Sequence, residues 1–321
     1  MSGAPALRVG TRGSALALWQ TERVRRLLSE AGHPTERVEI RTTGDMVQDV
    51  PLARIGSAAL FTRQIDEALL AGRIDLGVHS LKDLPTVLPD GISIAAVSER
   101  ADPSDALVGR GPIRWAELPP HATVATSSLR RRAQLLHARP DLQVSDLRGN
   151  VDTRLRKLDS AEGWSAILLA AAGLLRLGLG HRIGERLPME VMLPAPGQGA
   201  LAVTTRADDV RALGAARSAV HQRASALAVY AERAFLRRME GGCQVPVAAL
   251  ALQAGDTLRL HGRVIAVDGS RMAEGQEAAP IDEVADAERL GEGLAERLIR
   301  EGAAEILAEV RAGHVPSVTE P

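Results

Sequence analysis

The sequence predicts an α/β chain of two similar doubly wound lobes followed by a small C-terminal α+β domain. Three observations carry that expectation. Short apolar runs of strand type alternate with amphipathic helices over about the first 200 residues. Several of those strands run into a turn rich in glycine, hydroxyls or arginine before the next helix begins. Near Val247 the pattern changes to alternating segments broken at Gly255-Asp256 and Asp268-Gly269, as in antiparallel strands.

The elements follow in order. Leu7-Arg8-Val9 reads as a strand entering the turn Gly10-Thr11-Arg12-Gly13-Ser14. Ser14 has the side chain of an N-cap, and the helix after it carries Ala17, Val24, Leu27 and Leu28 on one face. Strand, glycine turn and helix N-terminus together can cradle an anion, although many helices begin this way with no ligand. Residues 38–41 read as a second strand, and 51–59, small and without period, as a loop. Residues 60–71 read as a helix ended by Gly72. The strand Ile74-Asp75-Leu76-Gly77-Val78 then delivers His79-Ser80-Leu81-Lys82-Asp83-Leu84-Pro85 to its carboxyl end, where ligands bind in open α/β sheets. The plainer reading of that loop is a solvated turn with a Lys–Asp pair of little worth.

Residues 92–97 form another expected strand, and Ser98-Glu99-Arg100-Ala101-Asp102-Pro103 an expected crossing between domains. The strand Thr123-Val124-Ala125 leads through Thr126-Ser127-Ser128 into a helix opened by Leu129-Arg130-Arg131-Arg132. The strand over 142–147 ends in Arg148-Gly149-Asn150, and the next helix presents Arg154. The strand over 166–170 precedes a helix carrying Arg176. A scattered surface arginine is ordinarily a solvated charge. Arginines and hydroxyls repeated at equivalent turns point instead to a ligand with several negative groups, which guanidinium forks bind well. Leu193-Pro194-Ala195-Pro196-Gly197-Gln198-Gly199-Ala200 suits a return crossing, after which 201–205 is a strand able to rejoin the first sheet. A helix over 226–239 leads to Glu240-Gly241-Gly242-Cys243-Gln244-Val245-Pro246. Strands at 247–253, 257–267 and 270–277 follow, then a helix with Ala287, Leu290, Leu294 and Leu298 on one face.

Composition narrows the function. A net charge of −1 and only six aromatic residues argue against a nucleic-acid partner. No apolar run approaches the roughly 20 residues of a membrane span. The opening Met1-Ser2-Gly3-Ala4-Pro5 has no basic-then-apolar leader, and there is one cysteine, so the cytoplasm is the expected location. Of 39 basic residues only Lys82 and Lys157 are lysine. No metal-ligand spacing is present. Cys243 reads two ways: as a small buried hydrophobe, or as a chemical group on a glycine-rich loop.

Taken together, the turn at Gly10–Ser14, the segment from Val78 to Pro85, Thr126-Ser127-Ser128-Leu129-Arg130-Arg131, Leu147-Arg148-Gly149-Asn150, Pro196-Gly197-Gln198-Gly199-Ala200 and the cysteine loop resemble the porphobilinogen deaminase family over nearly the whole chain. The resemblance implies a transferase that condenses four porphobilinogen molecules head to tail, with loss of ammonia, onto a covalent dipyrromethane primer and releases a linear tetrapyrrole by hydrolysis. It implies lobes similar in fold to two-lobed anion-binding proteins, and three domains: residues 1–99 with 200–217, residues 100–199, and residues 218–321. It further implies a thioether at Cys243, which anchors the primer, and a monomer.

By the same resemblance Asp83, Lys82 and Arg12 are catalytic. Ser14, Lys82, Asp83, Thr126, Ser127, Ser128, Arg130, Arg131, Arg148 and Gly149 hold the cofactor. Arg12, Gln20, Phe61, Arg148, Arg154, Arg176 and Gln198 hold substrate. The chain departs from the family at Ala58, where a lysine is frequent, at Ala59, where glycine or serine is frequent, and at Phe61-Thr62-Arg63-Gln64, which replaces a frequent Lys-Glu pair. A non-enzymatic two-lobed binder of small anions accounts for the first 200 or so residues equally well, but leaves Cys243 and the last domain without a purpose.

Overall fold

The structure is a computed structural model, and it describes residues 5–42, 62–239 and 245–313. Phe61, the loop before it and Cys243 lie outside the described residues. The chain divides into two compact units, one of residues 1–101 and 199–226, the other of residues 102–198 and 227–321.

The first unit holds a five-stranded sheet. Its strands are β1 (Leu7–Thr11), β2 (Thr35–Glu39), β3 (Leu76–Ser80), β4 (Ile92–Val97) and β10 (Leu201–Arg206), in the order β2-β1-β3-β10-β4. β1 is parallel to β2 and β3, while β10 is antiparallel to β3 and β4. The return strand expected over 201–205 therefore rejoins the first sheet as its fourth member. Helix α1 (Ala15–Glu30) begins as expected, with Ser14 Oγ accepting from Ala17 N at 3.3 Å. Its Val24 and Leu28 pack with Leu7, Val9, Val78 and Val203 and with Ala212 and Ala216 of α6 (Val210–Val220). Helix α2 (Arg63–Leu70) covers the other face through Ile65, Ala68 and Leu69. It ends where Gly72 takes φ +65°, a conformation glycine adopts without strain.

The second unit repeats that plan. Strands β5 (Asp105–Val108), β6 (Thr123–Ala125), β7 (Gln143–Ser145), β8 (Ala166–Ala170) and β9 (Glu185–Arg186) are ordered β7-β6-β8-β5-β9. β6 is parallel to β7 and β8, and β5 runs antiparallel to β8. In both sheets a parallel trio wound in the order 2-1-3 is extended by an antiparallel strand, so the predicted doubly wound lobes are present. Helices α3 (Leu129–Ala138), α4 (Val151–Ser160) and α5 (Ala171–Arg176) connect these strands, with Leu135, Leu155, Leu158 and Leu174 buried against the sheet.

The same unit carries a meander of β11 (Val247–Ala254), β12 (Thr257–Ile265) and β13 (Met272–Pro280), packed on α7 (Arg223–Arg238) and α8 (Val284–Leu298). Close packing there requires glycine at Gly262, since a Cβ would lie 2.6 Å from the Phe235 ring. Arg263 Nη1 donates to Gln134 Oε1 of α3 at 2.9 Å, tying meander to lobe. Among the described residues no helix is long and apolar enough to cross a membrane. Nor do those residues include a group of three or more His, Cys, Asp or Glu able to hold a metal.

Candidate active site

In the first unit the singled-out residues gather at the carboxyl ends of β1 and β3. Thr11 is fully buried and its Oγ1 donates to Ala17 O at 3.2 Å, fixing the turn that carries Arg12 onto the first turn of α1. Gln20 is also buried; its Nε2 donates to Ser80 Oγ at 2.8 Å, which pins α1 to the end of β3. Lys82 and Asp83 occupy a single 3-10 turn (Leu81–Asp83) directly after that strand. Leu81 and Leu84 are buried on either side, and Leu81 N donates to Ala200 O at 3.0 Å, so two half-buried charged side chains stand on a rigid base. His79, one strand position earlier, is buried with Nε2 3.0 Å from Thr204 Oγ1. Burial, aided by the charge of Arg12, pushes its imidazole down to about 4, so it is neutral at pH 7.

In the second unit the singled-out residues gather at the carboxyl ends of β6, β7 and β8. Ser127 stitches two turns together: its Oγ donates to Leu147 O and accepts from Leu147 N, both at 2.9 Å. Ser128 caps α3 by accepting from Arg131 N at 3.5 Å, and Thr126 Oγ1 accepts from Ser128 N at 3.3 Å. Gly149 takes φ +114°, and a Cβ there would lie 2.6 Å from Thr153 Cγ2, so the turn requires glycine. Arg154 Nε donates to Gly149 O at 2.7 Å, holding the same turn from the helix side. Burial lowers the Arg148 guanidinium, with the charge of Asp146 opposing. Burial alone pushes Arg176 down to about 10, and it remains a cation at pH 7.

Arg130 and Arg131 occupy a different place from the other arginines. Both are buried against the fully buried carboxylate of Asp105. Arg130 Nη1 donates to Asp105 Oδ2 and to Leu193 O, each at 2.7 Å, and Arg131 Nη1 donates to Leu168 O at 2.9 Å. Gln198 is fully buried in the same cluster, its Nε2 donating to Pro103 O at 2.7 Å and Asp105 Oδ1 at 3.1 Å. Sequence reasoning missed Asp105. The available signal was an aspartate opening the apolar run Ala106-Leu107-Val108, where a carboxylate enters the core only if cations meet it.

Glu232 of α7 was missed too. It is fully buried and accepts from Gly197 N at 2.6 Å and Ala251 N at 2.7 Å, clamping the crossing loop to β11.

The model for the "Porphobilinogen deaminase, dipyromethane cofactor binding domain" family matches residues 7–213, and the model for the C-terminal domain of the same family matches residues 226–300. A porphobilinogen deaminase of Syntrophotalea carbinolica is 51% identical over 316 residues, covering 98% of each chain. One of Desulforudis audaxviator is 52% identical over 308 residues, covering 95% of this chain and 98% of that protein. One of Geobacter metallireducens is 49% identical over 306 residues, covering 95% and 94%. Among solved structures, the methionine binding protein MetQ matches with a TM-score of 0.42 at 14% identity, over 67% of this chain and 89% of that one. The periplasmic aliphatic sulphonate binding protein SsuA of Escherichia coli matches with a TM-score of 0.39 at 16% identity, over 98% and 90%.

Proposed function

The chain belongs to the porphobilinogen deaminase family, and from that premise we propose how its own residues divide the work of condensing porphobilinogen. The organisation we assign is three domains: residues 1–99 with 200–217, residues 100–199, and residues 218–321, the last bearing Cys243 as the thioether anchor. Its working form is a cytoplasmic monomer with porphobilinogen as the small-molecule substrate.

The family's dipyrromethane cofactor, when bound, supplies a nucleophilic pyrrole end to which porphobilinogen units are joined with loss of ammonia. It carries acetate and propionate groups, and the donor set suits them. Arg132 Nε is a buried donor that meets no acceptor among the described residues, the kind of group a carboxylate satisfies. Gly149, with its left-handed backbone, lets Thr153 pack against the turn that carries Arg148.

Asp83 is assigned the reacting end. Its carboxylate accepts from pyrrole N–H groups and stabilises the positive charge that develops as ammonia departs. Lys82 and Arg12 balance carboxylates of the incoming unit, with Gln20 holding Ser80 and hence the strand end that presents them. Ser14, Thr126, Ser127 and Ser128 form the turns that orient backbone N–H groups at helix starts. Arg148, Arg154 and Arg176 supply the guanidiniums that hold acidic side groups, each charge-assisted bond contributing about 1.5–3 kcal/mol. Arg130, Arg131 and Gln198 act by fixing Asp105 and the chain around it.

The observation that carries this reading is the gathering of guanidiniums and hydroxyls at the carboxyl ends of the parallel strands in both lobes. The test is to incubate the purified chain with porphobilinogen and follow ammonia. One ammonia per porphobilinogen consumed, with a linear tetrapyrrole trapped as product, supports the enzyme. Saturable binding without ammonia release supports the two-lobed binder instead.

A further inference from the structure

Three consecutive arginines open α3, and they do not share one environment. Arg130 and Arg131 are buried on Asp105. Successive residues of a helix are turned by about 100°, so Arg132 leaves the helix on another side. It is half-buried, and its Nε is buried with no hydrogen-bond acceptor among the described residues. A guanidinium has five N–H donors and no means of shedding its charge at neutral pH, so a buried orphan N–H on it calls for an anion.

The start of α3 is placed by hydrogen bonds. Thr126 N donates to Ser145 O at 2.7 Å, and Ser127 is bonded twice to Leu147, so the first turn of α3 lies against the 146–150 turn. That turn carries Asp146 and Arg148. Asp146 is exposed, and it is the carboxylate whose charge acts on both Arg132 and Arg148.

We propose that Arg132 is a further carboxylate-binding residue of this enzyme, taking an acetate or propionate group of the bound pyrrole chain beside Arg148. Asp146 is then the resident anion with which that group competes. The inference rests on the functional reading above and deepens it by giving Arg132 a definite partner and role.

The experiment uses the cofactor-loaded protein and three variants: Arg132→Gln, Arg132→Lys and Asp146→Asn. Steady-state kinetics with porphobilinogen are paired with mass measurement of enzyme-bound intermediates kept after gel filtration at limiting substrate. Arg132→Gln is expected to raise KM about tenfold, the equivalent of one charge-assisted bond. Its kcat should stay within about twofold, and fewer intermediates should survive filtration. Arg132→Lys restores most of the loss, because the charge remains. Asp146→Asn moves the other way, lowering KM and retaining more intermediates.

If Arg132→Gln keeps the wild-type KM and intermediate pattern, or Asp146→Asn raises KM, Arg132 is a surface cation and the inference is overturned. Wild-type protein that releases no ammonia from porphobilinogen overturns the functional reading itself, and the inference with it.

Discussion

Arg131 grips a single oxygen of Asp105, its Nε at 3.0 Å and its Nη2 at 2.6 Å from Oδ1. Arg130 takes the other oxygen at 2.7 Å, and Gln198 adds a third donor to the first. The carboxylate is fully buried and both cations nearly so. Two guanidiniums adjacent in sequence are thus held by one aspartate at the start of β5, and this cluster joins β5, α3 and the loop before Gly199.

Removing the acid strands both cations in the core. Asp105→Asn is expected to lower unfolding stability by about 3–5 kcal/mol, the usual cost of breaking a buried pair from one side. Urea titration measures it. A loss within the range of an exposed ion pair, under about 1 kcal/mol, would show that the cluster is not a structural hub.

Gly149→Ala tests the turn that presents Arg148. The added methyl meets Thr153 at 2.6 Å in a backbone region that L-residues avoid. The strain should cost about 1–3 kcal/mol and raise KM for porphobilinogen. Gly163→Ala, whose Cβ meets nothing within 4 Å, is the matched control and should change neither.

Asp83→Asn keeps the size of the side chain on a 3-10 turn already fixed by Leu81 and Leu84. Thermal stability should be unchanged while kcat falls by about two to three orders of magnitude, the scale of losing one preorganised electrostatic contact. A rate within tenfold of wild type would remove Asp83 from the reacting end.

Two buried groups of the first lobe give stability opposite pH slopes. His79 has its folded pKa lowered to about 4 from 6.5, so between those values the unfolded chain binds more protons and stability falls on acidification. Asp66 has its folded pKa raised by burial to about 6 from 3.8, so in nearly the same window the folded chain binds more protons and stability rises on acidification. Each contribution is about 3 kcal/mol, and they nearly cancel. Asp66→Asn should therefore lose about 3 kcal/mol more than wild type does between pH 6.5 and 4, measured by urea midpoints. Equal slopes for variant and wild type would contradict this opposition.

Much of this architecture was legible in the sequence. Alternating strands and helices gave both lobes, and the return of 201–205 to the first sheet followed from a short apolar run after a proline-glycine crossing. Ser14 caps its helix as its position suggested, and Ser128 proves to cap α3. The two-residue strand Glu185–Arg186 and the helix Val210–Val220 were not foreseen. The first is too short for any period to register, and the second is built on alanines whose burial depends on the sheet they meet.

Within the site, the turns were legible because glycine, serine and arginine there answer to local backbone geometry. The partners were not. Asp105 lies 25 and 26 residues before the arginines it binds, and Glu232 lies 35 after Gly197. Such pairings arise only when the sheet brings distant segments together. For the same reason Arg130, Arg131 and Arg132 read alike in sequence, although folding buries two on a carboxylate and leaves the third half-buried, its Nε meeting no acceptor among the described residues.

The central claim is that this chain works on a pyrrole primer attached to itself at Cys243. Intact-mass measurement of the purified protein tests that claim most directly, alongside Cys243→Ser. The account predicts a wild-type mass above the bare polypeptide by two linked pyrrole units, and a Cys243→Ser protein with the mass of the polypeptide alone. A wild-type chain that turns over porphobilinogen at its bare mass, or a serine variant that still carries the adduct, would contradict it.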